Sequence, residues 1–309
     1  MAYNYSDLDG GFSIPRVDHR ITIIQVLVVI FLCINFLQLT TFFMKDFFYR
    51  TMRYILFANT LLADCMTLII TNILLILNTF RVAIQMWMCL IVCAISSFYF
   101  YITLVTLTAM TLERYVAICM PLRHAELCST RRALYSILII YALSSVPFIV
   151  IISAVLASAT SRYKEYTECN VDMMIHYSWQ RYLRLAVSQF YFLIMCLIIV
   201  FSYVKIMKVA KAASGESKKS TSKSLRTVVL HAFQLLLCLT QLWCPLIENA
   251  VLQIDIMLFV YIRYFDYIVF VLAPRCLSPL IYGLRDEKFV HELKYYALCG
   301  LYRKRLVLQ

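Results

Sequence analysis

The chain has 309 residues, of which 62% are apolar and 15% charged, with only 5 Gly and 6 Pro and a formal net charge of +12. A soluble domain of this size needs more charge to cover its outside, and its apolar residues do not come in long uninterrupted runs. The basic residues lie between the apolar runs, where a membrane protein keeps its cytoplasmic charge, so the positive balance does not point to nucleic acid.

Most of the 12 Cys sit inside apolar runs, where Cys behaves as a small hydrophobe rather than as part of a disulfide framework. Residues 1–20 are polar and lack the charged-then-apolar pattern of a signal peptide, so the first apolar run is expected to act as its own insertion signal.

A helix of about 20 apolar residues crosses a hydrocarbon layer of about 30 Å. In chain order seven runs qualify: 22–44, 54–77, 86–112, 133–156, 185–204, 227–247 and 256–282. Backbone groups in lipid must be satisfied internally, so each run is expected to be a helix. The fold class is therefore an all-α membrane protein, a seven-transmembrane bundle spanning 22–282. Residues 1–21 form an extracellular tail, and 283–309 a short amphipathic helix and tail. Full charges inside the runs are Asp64, Arg263, Asp266 and Arg275, with Glu248 at the edge of the sixth.

Most of the 29 Lys and Arg fall after the first, third, fifth and seventh runs, and the densest cluster lies between the fifth and sixth. These belong in the cytoplasm, which makes the chain a multi-pass plasma-membrane protein with its N-terminus outside. Asn4-Tyr5-Ser6 is an N-x-S/T sequon in that outer tail, so Asn4 is the glycosylation candidate.

The first run carries Asn35, and the second carries Asp64 after Leu62-Ala63. The third ends in Met110-Thr111-Leu112-Glu113-Arg114-Tyr115-Val116-Ala117-Ile118-Cys119-Met120-Pro121-Leu122-Arg123-His124. The sixth contains Trp243-Cys244-Pro245. The seventh closes on Pro274-Arg275-Cys276-Leu277-Ser278-Pro279-Leu280-Ile281-Tyr282 and continues through Arg285 to Phe289.

Glu113-Arg114-Tyr115 resembles the Glu/Asp-Arg-Tyr signature of rhodopsin-like (class A) G protein-coupled receptors. The extension from Val116 to His124 and the segment from Pro279 to Phe289 resemble those of vertebrate odorant receptors. The loop before the fifth run holds Cys169 alone, where tetrapod-type odorant receptors usually carry extra cysteines. That points to a divergent, fish-like branch. The resemblance spans nearly the whole chain, but its olfactory part rests on these two segments.

The resemblance implies roles. Arg114 is held by Glu113 at rest and engages the G protein when the helices open, with Tyr115, Tyr203, Pro245, Pro279 and Tyr282 as further switch positions. Cys89 stands about 38 Å along the third helix from Arg114, hence at the extracellular end, and is paired with Cys169. Pro245 deprives the carbonyl of Gln241 of its usual partner and kinks the sixth helix. Trp243 just ahead of it reads equally as a ligand sensor and as a buried aromatic beside the kink.

Ser278 stands where the family has the asparagine of Asn-Pro-x-x-Tyr, so its polar network does not carry over unchanged. Asp64 matches the family's sodium-binding acid. Arg275 is expected to pair with it and replace the ion, with Asn35 completing the cluster; a purely structural ion pair is the other reading. The start of the sixth helix, Lys223-Ser224-Leu225-Arg226-Thr227, has no acid to tether Arg114, which predicts raised basal activity. Cys299 is a juxtamembrane candidate for palmitoylation.

By the same resemblance the ligand pocket is lined by Cys93, Ser96, Ser97 and Phe100 of the third helix and by Ser188 and Tyr191 of the fifth. Trp243, Ile247 and Glu248 join from the sixth, and Tyr264, Tyr267 and Ile268 from the seventh. Ser96 stands where amine receptors have an aspartate, which argues against an amine anchor. Glu248 is open to a cationic ligand or to pairing with Arg263 or Arg184. The seventh run has no lysine, which excludes a retinal Schiff base.

The expected ligand is a small-molecule odorant, and the expected partner a heterotrimeric G protein of the stimulatory, olfactory type that raises cyclic AMP. The lipid bilayer is the remaining partner. No nucleic acid, cofactor or metal is expected. A class A receptor for a lipid, peptide or other small molecule is the nearest alternative. A transporter is less favoured because no repeat relates the two halves. An enzyme is excluded because neither H-E-x-x-H nor G-x-S-x-G occurs.

Overall fold

The computed structural model describes residues 19–157, 166–169, 177–213, 218–283 and 287–297. The glycosylation candidate Asn4 and the palmitoylation candidate Cys299 lie outside the described residues. The chain forms α1 (His19–Phe43), α2 (Asp46–Tyr49), α3 (Met52–Thr79), β1 (Ala83–Gln85), α4 (Met86–Cys119), α5 (Pro121–Leu127) and α6 (Thr130–Ala157). There follow β2 (Tyr166–Glu168), α7 (Ser178–Ala213), α8 (Lys218–Thr240), α9 (Cys244–Leu252), α10 (Ile256–Asp266), α11 (Ala273–Ser278) and α12 (Glu287–Ala297). Two π-helical stretches continue the last span, Tyr267–Leu272 before α11 and Pro279–Gly283 after it.

Among the described residues six helices are long and apolar enough to cross a membrane, and α8 with α9 makes a seventh span bent by 42°. This is a seven-transmembrane bundle, and the apolar runs explain it: with no water to bond the backbone, each run satisfies its own N–H and C=O groups. Large apolar side chains such as Ile139, Leu197 and Leu236 are exposed on its outside. That is the face a helix turns to lipid. The core runs along α4, where Tyr101, Ile102, Leu104, Leu107 and Met110 are buried against neighbouring helices.

Two local devices set the geometry of the cavity end. α3 stops in a Schellman turn: Val82 N–H reaches Leu77 O at 2.9 Å and Arg81 N–H reaches Asn78 O at 3.3 Å. Arg81 takes the left-handed conformation (φ 48°) that glycine usually supplies there, at a cost of about 1–2 kcal/mol. The chain leaves this turn extended, and β1 pairs antiparallel with β2, Ile84 opposite Thr167. This two-stranded ladder is the one departure from the expected all-α content among the described residues. It forms beside Cys169, which is bonded to Cys89 in the first turn of α4.

At the opposite end α12 packs its apolar face on the bundle. Phe289 is fully buried, with ring centroids 5.3 Å from Phe48 and 5.7 Å from Phe57. Lys45 Nζ lies 3.2 Å from Glu292 Oε2, one turn beyond Phe289 on the same side of the helix.

Candidate functional site

A cavity of about 270 Å³ opens between α3, α4, α6, α7 and the α8–α9 break. Its wall is mainly apolar, with Leu74, Leu90, Phe100, Phe148, Ile151 and Val155 among the lining residues. The polar groups are Ser96 and Ser97 on α4, Ser188 and Arg184 on α7, Tyr101, and Gln241 at the break. Tyr101 Oη and Ser188 Oγ are 3.2 Å apart and share a hydrogen bond.

The Cys89–Cys169 disulfide sits at the same end of α4, its sulfurs packed with Cys93, Leu74, Ile84 and Leu90. Cys93 Sγ is 4.0 Å from Cys89 Sγ. Three sulfurs this close resemble a metal cluster, but two of them are spent in the disulfide.

The structure gathers Cys93, Ser96, Ser97, Phe100 and Ser188 around this cavity, together with Pro245, expected as a switch position. It seats the other expected pocket residues elsewhere. Tyr191 turns its hydroxyl to Leu143 O at 2.7 Å. Pro147, inside α6, has no N–H for that carbonyl, so the tyrosine supplies the missing hydrogen bond. Its ring still packs edge-on against Tyr101 at 5.2 Å, one layer behind the wall.

On the sixth span α8 ends at Thr240, and Pro245 opens the next helix. The Gln241 carbonyl is not left bare, because Cys244 N–H bonds it at 3.3 Å in a tight turn. This break presents Gln241, Leu242 and Pro245 to the cavity. Trp243 packs edge-on against Phe192 at 5.7 Å instead and is 41% exposed, while Ile247 and Glu248 do not line the cavity.

On the seventh span Tyr264, Tyr267 and Ile268 pack with Ile24, Val28 and Leu68 of the first two spans. The Tyr267 hydroxyl lies 3.4 Å from Thr71 Oγ1. The π-helical stretch beginning at Tyr267 alters the turn, so a face extrapolated at α-helical spacing is displaced.

Deeper in the bundle lies a polar chain. Asp64 is fully buried, and its two oxygens accept from Thr103 Oγ1 at 3.1 Å and Ser278 Oγ at 2.8 Å. Ser278 in turn accepts from Gln234 Nε2 at 2.6 Å, and the same amide donates to Pro274 O at 3.1 Å. Four spans are thereby joined through one carboxylate. Ser278 does here what its sequence position left open, and Gln234 and Thr103 are members that the motif reading missed.

Arg275 is 1% exposed and close enough to act electrostatically on Asp64, yet the two form no ion pair within 4 Å. Its guanidinium donates to Val271 O. Asn35 is fully buried, and its side-chain atoms make no hydrogen bond among the described residues. The expected three-membered ionic cluster is therefore a hydroxyl-bridged carboxylate with a nearby cation. The hydroxyls of Ser278 and Thr103 are short, sit on neighbouring helices and occupy the oxygens that the guanidinium was expected to take.

At the far end of α4, Arg114 Nε lies 3.8 Å from Glu113 Oε2, and Tyr115 packs against Phe201 of α7 at 5.7 Å. Tyr203 is half-buried one turn before Ile206 on α7, and Pro279 and Tyr282 belong to the last π-helical stretch. Pro279 O accepts from Gln38 Nε2 at 3.1 Å, which ties the end of the seventh span to the first.

The sixth span meets α4 through His231, which is buried with Nε2 3.1 Å from Leu107 O and 3.2 Å from Thr111 Oγ1. A carbonyl only accepts, so Nε2 carries the proton in that contact. The sequence signal for His231, a lone histidine in an apolar run, is too common to have marked it.

A family model described as 7 transmembrane receptor (rhodopsin family) matches residues 34–282. The chain is also similar to Odorant receptor 131-2 of Danio rerio, at 42% identity over 298 residues, covering 96% of this chain and 91% of that protein.

Proposed function

Because the chain belongs to the rhodopsin family of seven-transmembrane receptors, we propose that it is an odorant receptor of the plasma membrane. It is a signalling receptor and not an enzyme. In this reading residues 1–21 lie outside the cell, 22–282 form the membrane domain, and 283–309 form the cytoplasmic helix and tail. A small organic molecule enters the cavity beneath the Cys89–Cys169 disulfide. Arg114 couples the far end of the same helix to a heterotrimeric G protein of the stimulatory type, which raises cyclic AMP.

The observation that carries the proposal is the arrangement along α4. One helix has a mostly apolar chamber near Cys89 and the Glu113–Arg114–Tyr115 segment at its other end, with Asp64, Thr103, Ser278 and Gln234 bridging four spans in between. Such a bundle can occupy two packings that a ligand biases, which is what transmission through a helix bundle requires.

The test is cyclic AMP in cells that carry the receptor and an olfactory-type stimulatory G protein, with an odorant mixture applied and surface expression verified. The expected response is lost in Arg114→Ala while that variant still reaches the surface. An unchanged response in Arg114→Ala would overturn the assignment of coupling to this segment. A response carried only by another G protein would overturn the stimulatory reading.

A further inference from the structure

We propose that the cavity takes a small organic anion, a monocarboxylate with a short apolar body, and that Arg184 is its anchor. This rests on the receptor reading above and names the ligand class of the same site. Arg184 is the one formally charged side chain among the described residues that line the cavity. Among the described residues no carboxylate lies within 4 Å of its guanidinium; the ion pairs there are Lys45–Glu292, Glu113–Arg114 and Glu126–Arg132. Glu248, which the sequence left open to a cationic ligand or to pairing with Arg263 or Arg184, does not line the cavity.

A half-buried guanidinium facing leucine, isoleucine and phenylalanine has given up part of its hydration, and no described residue supplies a compensating charge. An anion entering the chamber supplies that charge. Guanidinium offers a planar fork of N–H donors that matches a carboxylate with two parallel hydrogen bonds.

The neighbouring groups suit the same occupant. Ser188 lies one helical turn from Arg184, on the same face of α7, with its hydroxyl shared with Tyr101 at 3.2 Å. Two further O–H groups therefore stand beside the fork, and Ser96 and Ser97 line the chamber from α4. A primary amine finds no acid in this wall, whereas a neutral molecule leaves the guanidinium uncompensated. The volume, about 270 Å³, falls just below the usual range for small-molecule sites and limits the apolar body to a short chain or a single ring.

The experiment uses the full-length receptor purified into lipid nanodiscs. Thermal unfolding is followed with the straight-chain carboxylates from butanoate to octanoate, with their methyl esters, and with amines of matched length. Carboxylates are expected to raise the melting temperature of the wild type in a length-dependent way, and the esters and amines are not. Arg184→Gln is expected to weaken carboxylate affinity about 30-fold or more, Arg184→Lys less. Without ligand, Arg184→Gln is expected to melt close to the wild-type temperature, which shows that the variant is folded.

Esters that stabilise the wild type as well as the acids do, carboxylate affinity unchanged in Arg184→Gln, or no stabilisation by any acid would each overturn the inference. The same panel applied in the cyclic AMP assay separates this from the receptor reading. Acids that bind through Arg184 but evoke no Arg114-dependent signal leave the ligand class standing and sink the coupling assignment. Neutral odorants that evoke an Arg114-dependent signal untouched by Arg184→Gln do the reverse.

Discussion

The two ends of α4 were specified in different ways. Near Arg114 the chemistry is written in consecutive residues on one helix, so neighbours in sequence remain neighbours in space. Near Cys89 the chamber is assembled from single residues on several spans, and each contributes only if its helix arrives with the right face turned inward. A break of a few residues in the sixth span and a π-helical stretch in the seventh are enough to replace Trp243 with Gln241 and to turn Tyr264 and Tyr267 toward the first two spans. A switch written in one helix tolerates such shifts, whereas a pocket built from many helices is redefined by them.

The largest expected effect lies between the two ends. Asp64→Ala removes the acceptor of Thr103 and Ser278 and leaves Arg275 buried without its nearby negative charge. Stranding a buried charge costs on the order of 3–5 kcal/mol, so surface expression and melting temperature should fall sharply. Adding Arg275→Ser should restore much of both. With Arg275 in place, ligand potency should not respond to sodium. A clear sodium shift in the wild type, or no rescue in the double variant, would break the link between this network and the two ends it joins.

The fold was legible because membrane burial leaves the backbone no alternative to helices, and the runs are long. The positions of Arg114 and of the Cys89–Cys169 pair followed as well, each fixed by place along one helix or by a single available loop cysteine. The five cavity residues found on α4 and α7 lie where the helix is regular. What was missed has physical reasons. Arg184 stands one residue outside the apolar run 185–204 and was weighed only as a partner for Glu248, yet α7 begins at Ser178 and carries it inward. Tyr191 was drawn away by a carbonyl whose need arises from a proline on another helix. Composition shows neither effect.

That last case gives the next test. Tyr191→Phe keeps the ring contact with Tyr101 and removes the donor to Leu143 O. A carbonyl left without a donor on a face turned to lipid has no water to replace it and costs about 1–3 kcal/mol, so the melting temperature should drop while ligand preference is unchanged. A change in ligand preference without loss of stability would return Tyr191 to the pocket wall.

At the other end, His231→Ala removes the contact between the sixth span and the Leu107 carbonyl of α4. Losing about 1 kcal/mol from the closed arrangement shifts a two-state balance roughly fivefold. Basal cyclic AMP should rise by about that factor before any ligand is added. Basal signalling unchanged from wild type would leave the closure of this end to Glu113 and its neighbours on α4.

The smallest effect is expected where the charge is exposed. The hydrogen bond from Lys45 to Glu292 raises the lysine above its ordinary value of 10.5, partial burial opposes this, and the Glu292 charge adds to the rise. A lysine raised in the folded protein contributes its full stabilisation below 10.5 and loses it only as pH climbs through the higher folded value. Between pH 6 and about 9 the docking of α12 should therefore not vary with lysine titration. Lys45→Met should cost less than about 1 kcal/mol, because water and salt screen an exposed pair. Hydrogen exchange on α12 is the direct readout. Opening of α12 within that pH range would mean that a group other than Lys45 holds the helix, whereas exchange unaltered by Lys45→Met would assign its docking to the buried ring of Phe289 alone.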